Sequence, residues 1–198
     1  DLTVTGVQTC ALPIYYKPEE RKFIANEIRE LLKQGIIRRS RSPWCSQIVV
    51  AKRGPKWRLC VDFSHTVNKL TAEDAYPFPL INEIINKLAK YKRFTKFDLK
   101  SAYNQVILPA EDVPKTAFQA NYGFLEFLRI PFRLKNAVLA FQRIMTDIIK
   151  EEGLKDMYVY LDDIAIGGMD QDQHDHNVQC FENVCRKRKL TLNNEKTV

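Results

Sequence analysis

The period of apolar positions changes several times along the chain, and each change predicts an element. Ile24, Ile28, Leu31 and Leu32 fall three or four apart and form one stripe of a helix running from Pro18 to Gln34. Pro18 opens it, Glu19 and Glu20 complement its positive end, and Gly35 stops it. Gln47 to Ala51 and Lys56 to Phe63 read as two strands joined by a Lys52-Arg53-Gly54-Pro55 turn, a hairpin with a positively charged tip. The prolines of Tyr76-Pro77-Phe78-Pro79 keep the chain extended before a second helix, whose Leu80, Ile81, Ile84, Ile85 and Leu88 form a stripe expected to be buried core. Phe94 to Leu99 is a strand-like aromatic run, and Pro114 to Phe118 with Tyr122 to Phe127 form a hairpin around Asn121-Tyr122-Gly123. Ala137, Phe141, Ile144, Met145 and Ile148 mark a third helix. Gln171 to Leu190 gives a last one, with Val178, Phe181, Val184 and Cys185 inward and Arg186 to Lys189 near its negative end. Leu190 to Val198 begins another strand.

One stretch carries acids where the pattern asks for apolar residues. Met157 to Gly168 has alternating β-branched and aromatic residues on both sides of Asp162-Asp163, which predicts a strand, a tight turn and a second strand with both acids at the tip. Adjacent strand residues point to opposite faces, so two neighbouring carboxylates converge only where the backbone turns. Buried without a partner, they would repel each other at a cost of several kcal/mol, which makes a cation the natural companion. Magnesium, a hard ion that takes carboxylate and phosphate oxygens, is favoured; an ordinary acidic turn is the alternative. A third acid, Asp98, ends the strand-like run Phe94-Thr95-Lys96-Phe97 and tips the balance toward the ion.

With 198 residues, 45% of them hydrophobic, the chain can bury a sizeable core as one large domain or two small ones. Its formal charge of +7 favours a polyanionic partner such as nucleic acid. The five cysteines include no Cys-x-x-Cys pair and read as reduced thiols, with no zinc site. No apolar run approaches the roughly 20 residues that span a bilayer and no signal peptide is evident, so a soluble, cytoplasmic protein with no membrane partner is expected. His174-Asp175-His176 is poorly spaced for chelation, since His174 shares the apolar helix face with Val178 and His176 does not. Asp1 to Ile14 fits nothing that follows: it resembles the translation of a sequencing-library adapter and is set aside as an assembly scar, with a genuine flexible N-terminus as the alternative.

From about Tyr15 to Val198 the chain resembles the reverse transcriptase of a gypsy-type LTR retrotransposon. Tyr160-Leu161-Asp162-Asp163 matches the Tyr-x-Asp-Asp box, Phe97-Asp98-Leu99 the first catalytic-aspartate motif, and Pro114-Lys115-Thr116-Ala117-Phe118 with Tyr122-Gly123-Phe124-Leu125-Glu126-Phe127 two further blocks. Ile36 to Trp44 resembles the basic strand and Ser-Pro-Trp that lead into the fingers, and Asn68-Lys69 and Tyr76 to Pro79 match again. The resemblance implies an α+β fold, the fingers and palm of a right-hand polymerase with the thumb absent. Residues 15–72 and 106–136 would be fingers; 73–105 and a truncated 137–198 would be palm, a small antiparallel sheet backed by helices. Asp98, Asp162 and Asp163 would be catalytic and hold two magnesium ions, with manganese as a substitute, about 3.5–4 Å apart. Asp98 and Asp162 would bridge them, and Asp163 would stand partly outside the inner coordination sphere.

By the same resemblance, Lys52 or Arg53 at the fingers tip, Arg58 after Trp57, Leu99, Tyr103, Phe132 and Arg133 would line the nucleotide, with Tyr103 excluding a 2′-hydroxyl. Tyr160, Leu161, Asn136 and Gln142 would meet primer and template. The implied partners are an RNA or DNA template with its primer, deoxynucleoside triphosphates, and the thumb, RNase H and other Pol domains, in the setting of a virus-like particle. The chain departs from the family at Pro131 to Gln142, where the usual form is Pro-Phe-Gly-Leu-Thr-Asn-Ala-Pro-x-x-Phe-Gln. Here Arg133 replaces the glycine, Lys135 the threonine and Val138 the second proline, and Ser64 stands where many relatives carry arginine. These changes give a rival to the active polymerase: a catalytically decayed remnant that folds and binds nucleic acid. A second rival is a metal-dependent nucleotidyltransferase without a template.

Overall fold

The computed structural model of the chain describes residues 15–120, 123–193 and 197. Asp1 to Ile14, read as an adapter scar, and the turn residues Asn121 and Tyr122 lie outside the described residues. In chain order the elements are helix α1 (Pro18–Lys33), strands β1 (Ile37–Arg39), β2 (Ser46–Arg53) and β3 (Lys56–Asp62), the short helix α2 (Val67–Leu70), helix α3 (Ile81–Leu88) and strand β4 (Arg93–Asp98). Strands β5 (Phe118–Ala120) and β6 (Gly123–Phe127), helix α4 (Ala137–Glu151), strands β7 (Met157–Tyr160) and β8 (Asp163–Gly168), and helix α5 (Gln171–Arg188) follow. They divide into two compact units, residues 15–73 with 106–137, and 74–105 with 138–198.

The first unit is a five-stranded sheet, ordered β1-β6-β5-β2-β3, whose strands are antiparallel neighbours except for the parallel pair β2 and β5. Helix α1 buries Ile24 and Ile28 in a core with Ile37, Ile48, Val61, Phe63, Phe118, Leu125 and Phe127. Its end is a Schellman motif: Gly35, at φ +65°, donates to the Leu32 carbonyl and Ile36 to that of Leu31, so the last carbonyls are satisfied. The β2–β3 turn is tighter than the sequence suggested. Lys52 and Arg53 belong to the strand, and only Gly54 and Pro55 form the tip. Pro114 to Thr116, expected in a strand, coil into a short 3-10 turn, where the buried Thr116 hydroxyl accepts from Phe127 N at 2.9 Å. Arg38 lies in strand β1, where its Nε donates at 2.7 Å to Glu126, a carboxylate only 5% exposed.

The second unit is a three-stranded antiparallel sheet, ordered β4-β8-β7. Strand alternation sends Phe97, Ile164, Ile166, Met157 and Val159 to one buried face, where Phe97 meets Phe181 of α5 with ring centroids 5.3 Å apart. The approach of α5 is close enough that a Cβ on Gly168 would stand 2.5 Å from the His174 backbone nitrogen. One expectation needs correction here. None of the apolar stripe of α3 is buried among the described residues: Leu80, Ile81 and Ile85 are exposed, and Ile84 and Leu88 half-covered. Periodicity identifies an apolar stripe without saying what covers it. Of the strand expected from Leu190 to Val198, residues 194–196 and 198 lie outside the described residues, and Leu192 makes an antiparallel bridge to Leu99.

Candidate active site

Strands β7 and β8 form the hairpin, and Tyr160 and Asp163 face each other as the last register pair, so the turn is Leu161-Asp162 alone. Asp162 therefore sits at the tip, whereas Asp163, expected beside it, is the first residue of β8. Leu161 adopts φ +57°, a left-handed conformation that two-residue hairpin turns require and that costs a branched residue strain. Gln142 of α4 holds this turn from below. It is 3% exposed, its Nε2 donates to the Val159 carbonyl at 2.9 Å, and its Oε1 accepts from Leu161 N at 3.2 Å. Tyr160 packs edge-on against Phe78, centroids 5.3 Å apart.

The register of β4 with β8 sets Asp98 directly opposite Asp163, so one row across the sheet reads Asp98, Asp163, Tyr160. Opposed carboxylates repel, and a neighbouring lysine compensates: Lys96, two residues before Asp98 and on the same face, places Nζ 2.9 Å from Asp163 Oδ2. Asp98 is held by the returning chain, its carbonyl accepting from Asn193 N at 2.8 Å and its Oδ1 from Asn193 Nδ2 at 3.4 Å. Asp162 accepts a hydrogen bond from the Tyr103 hydroxyl. Burial first, and that bond second, raise the Tyr103 pKa above its ordinary value, so the hydroxyl remains a donor through the neutral range. The Oδ1 of Asp162 is buried with no hydrogen-bond partner, an expensive state for a carboxylate oxygen and one that a hard cation would relieve. Among the described residues, no three His, Cys, Asp or Glu side chains are gathered as a ready-made metal site. Donor chemistry and placement at one end of one sheet fit such an ion at Asp98 and Asp162. Asp163 is engaged by Lys96 instead.

Residues 50–198 match the family model described as reverse transcriptase (RNA-dependent DNA polymerase). The chain belongs to the reverse transcriptase family. It is 40% identical over 93% of its length to the retrovirus-related Pol polyprotein from transposon opus, and 41% identical over 88% to that from transposon gypsy, both of Drosophila melanogaster. It spans 19% and 18% of those relatives, about a fifth of their length. The foamy viral protease-reverse transcriptase solved with an RNA/DNA hybrid superposes with a TM-score of 0.85 at 20% identity, covering 93% of this chain and 25% of that one. Its complex with double-stranded DNA gives 0.83, covering 94% of this chain and 33% of that one. The α+β fold is thus that of a reverse transcriptase, a family of nucleotidyltransferases.

Several positions that reverse transcriptase resemblance assigns to nucleotide or template make contacts within the chain. Leu99 is 3% exposed and pairs with Leu192, and Tyr103 is 8% exposed against Phe141, so both are packed into the second unit. Gln142 is buried, with each end of its amide bonded to the hairpin backbone. In the first unit, Lys52 lies 4.3 Å above the Trp57 ring and 3.2 Å from Glu20. Arg58 is exposed, as is Phe132, and the Arg53 side chain lies outside the described residues. Asn136 Nδ2 donates to the Ala72 carbonyl at 2.9 Å. At the position of the missing family arginine, the Ser64 hydroxyl and backbone N–H both donate to Asp62, and these bonds hold its carboxyl below its ordinary pKa.

The segment that departs from the family is bound to Asn68. Its Nδ2 donates to the Arg133 carbonyl at 2.7 Å, and its Oδ1 accepts from Lys135 N at 2.9 Å. Arg133 itself has φ +73°, the left-handed region where glycine is at ease. Lys135 reaches the Thr71 carbonyl at 3.2 Å and Glu73 at 3.4 Å. Two residues escaped the sequence reading in this role, Asn68 and Lys96. Nothing local signals the first, whose partners lie 65 and 67 positions away. The second was available from the period of a strand, which puts positions 96 and 98 on one face.

Proposed function

We propose that the chain is the fingers, residues 15–72 and 106–136, and the palm, residues 73–105 and 137–198, of a retrotransposon reverse transcriptase. Its reaction is template-directed transfer of a deoxynucleotide to a primer 3′-hydroxyl with loss of pyrophosphate, within a virus-like particle in the cytoplasm. The observation that carries this reading is the row Asp98–Asp163 beside a hairpin tip that buries an unpartnered Asp162 oxygen. Asp98 and Asp162 would hold the metal, with Asp163 joining when released from Lys96. Two magnesium ions, or manganese in their place, supply activation of the 3′-oxygen and charge neutralisation at the triphosphate when bound. The protein's own part is placement. Gln142 and the strained Leu161 fix the tip, the Tyr103 hydroxyl orients Asp162, and the Tyr103 ring gives a steric reason for choosing deoxynucleotides. Extension of a primer on RNA and on DNA templates tests the reading. Asp98→Asn and Asp162→Asn should each abolish it, and equal activity on unprimed or template-free DNA would point to a nucleotidyltransferase without a template.

A second reading has an observation of its own. Arg133 occupies a left-handed backbone position where the family carries glycine, with its carbonyl clamped by Asn68. A long side chain at a point of close backbone approach suits a copy that has decayed to nucleic-acid binding. Arg133→Gly with Lys135→Thr should then restore extension, whereas an already active polymerase would show equal rates before and after.

A further inference from the structure

We propose that Lys96 is a built-in counter-ion of the carboxylate site, holding Asp163 in the absence of metal and competing with the cation for it. The inference rests on the metal-binding reading of Asp98, Asp162 and Asp163 and adds a residue that the reading lacks. Strand β4 carries Lys96 and Asp98 on one face, and the register puts Asp163 opposite Asp98, so the lysine approaches Asp163 along the diagonal. Its Nζ lies 2.9 Å from Asp163 Oδ2, at direct ion-pair distance. Both side chains are about half exposed, 52% and 47%, so the ammonium is free to swing into water when a better partner arrives. Ala165, opposite Lys96 on the central strand, is too small to hold the lysine stem in place.

The chemistry follows from charge. Asp98 and Asp163 face one another across adjacent strands, and a single positive charge between the rows offsets their repulsion. A divalent cation entering the same carboxylates has to displace that charge or tolerate it nearby. The lysine thus weakens metal affinity in the free protein and keeps the carboxylates in place until substrate phosphates bring additional ligands. Asp163 becomes a conditional ligand, engaged by Lys96 until the cation displaces it.

Manganese binding to the whole chain, read by the loss of free Mn2+ electron paramagnetic resonance signal, tests this without any turnover. Removing a unit charge some ångströms from a divalent ion should tighten Mn2+ binding about fivefold in Lys96→Met and in Lys96→Gln. Lys96→Arg, which keeps the charge, should bind as the parent does. Asp163→Asn added to Lys96→Met should erase the gain, because the effect runs through that carboxylate; a general change in surface charge would survive it. If Lys96→Met and Lys96→Gln bind Mn2+ no more tightly than the parent while Asp98→Asn weakens binding, the metal site stands and the counter-ion role falls. If Asp98→Asn leaves Mn2+ binding unchanged in every background, the metal-binding reading itself is overturned.

Discussion

Arg133 is a side chain in a backbone conformation that does not suit it. At φ +73° an L-residue other than glycine is strained by about 1–2 kcal/mol, part of which a glycine would return as extra entropy of the unfolded chain. The hydrogen bonds that fix this turn run from Asn68 to the backbone at Arg133 and Lys135, so they survive replacement of the side chain. Arg133→Gly should therefore raise stability by about 0.5–1 kcal/mol in urea unfolding, whatever it does to polymerisation. A loss of stability would mean that the arginine makes compensating contacts of its own. Leu161 is the counterpart at the hairpin tip, with φ +57°. Leu161→Gly should also relieve strain, yet lower extension activity, because a looser tip places Asp162 less accurately; a matched rise in both would refute the idea that tip geometry matters. Sequence alone identified both positions as members of family motifs. It could not show that they share one backbone problem, because φ is a property of the fold and only glycine advertises it.

Helices α4 and α5 are tied to the rest of their unit by polar contacts that apolar periodicity does not report. Gln142 lies on the inward face of α4 with Phe141 and Met145, a position where the pattern calls for an apolar residue. Its amide bonds to the hairpin explain the exception, and Gln142→Ala should cost about 2 kcal/mol by leaving Leu161 N without its partner. Denaturant midpoints measure this, and a cost near zero would show that water replaces the amide. At the other end of α4, Glu152 accepts from Lys187 at 2.7 Å and Arg188 at 2.6 Å, the basic last turn of α5. Those bonds, Lys187 first, hold the Glu152 carboxyl below its ordinary pKa. Its stabilising contribution is full above the pKa of the unfolded chain and disappears as pH falls through the lower folded value. Glu152→Gln should lower Tm at pH 7 and match the parent in strong acid; a difference that persists in acid would place the effect elsewhere.

The same elements show what the pattern could convey. Helix α1 and the β7–β8 hairpin were readable because their stop signals, Gly35 and the Asp162-Asp163 interruption, are local. Helix α2 carries no such signal in four residues, and α3 has a clear stripe with nothing over it among the described residues.

For the whole molecule, the formal +7 is the excess left after every acid is set against a cation, and the fold shows which cations are paired. Lys52 is on Glu20, Arg38 on Glu126, Lys135 on Glu73, Arg143 on Asp74, and Lys187 and Arg188 on Glu152. Counting residues reveals the excess of charge, but only the fold reveals which cations already have acids beside them. Exposed ion pairs are weak, each worth roughly 0–1 kcal/mol, so a phosphate can still compete for the lysines and arginines at the surface. Binding to a primed RNA or DNA template should then be driven by release of counterions from a modest number of phosphates. If four to six are neutralised, log K should fall against log salt with a slope of about −4 to −5, a loss of roughly 10²- to 10³-fold between 50 and 200 mM. Contacts to phosphate carry no sequence information, so templates of different base sequence should give parallel lines of nearly equal height. Titration of a labelled primer–template at several salt concentrations decides the matter. A slope near zero would remove the electrostatic account of template binding, and parallel lines of very different height would require contacts to the bases.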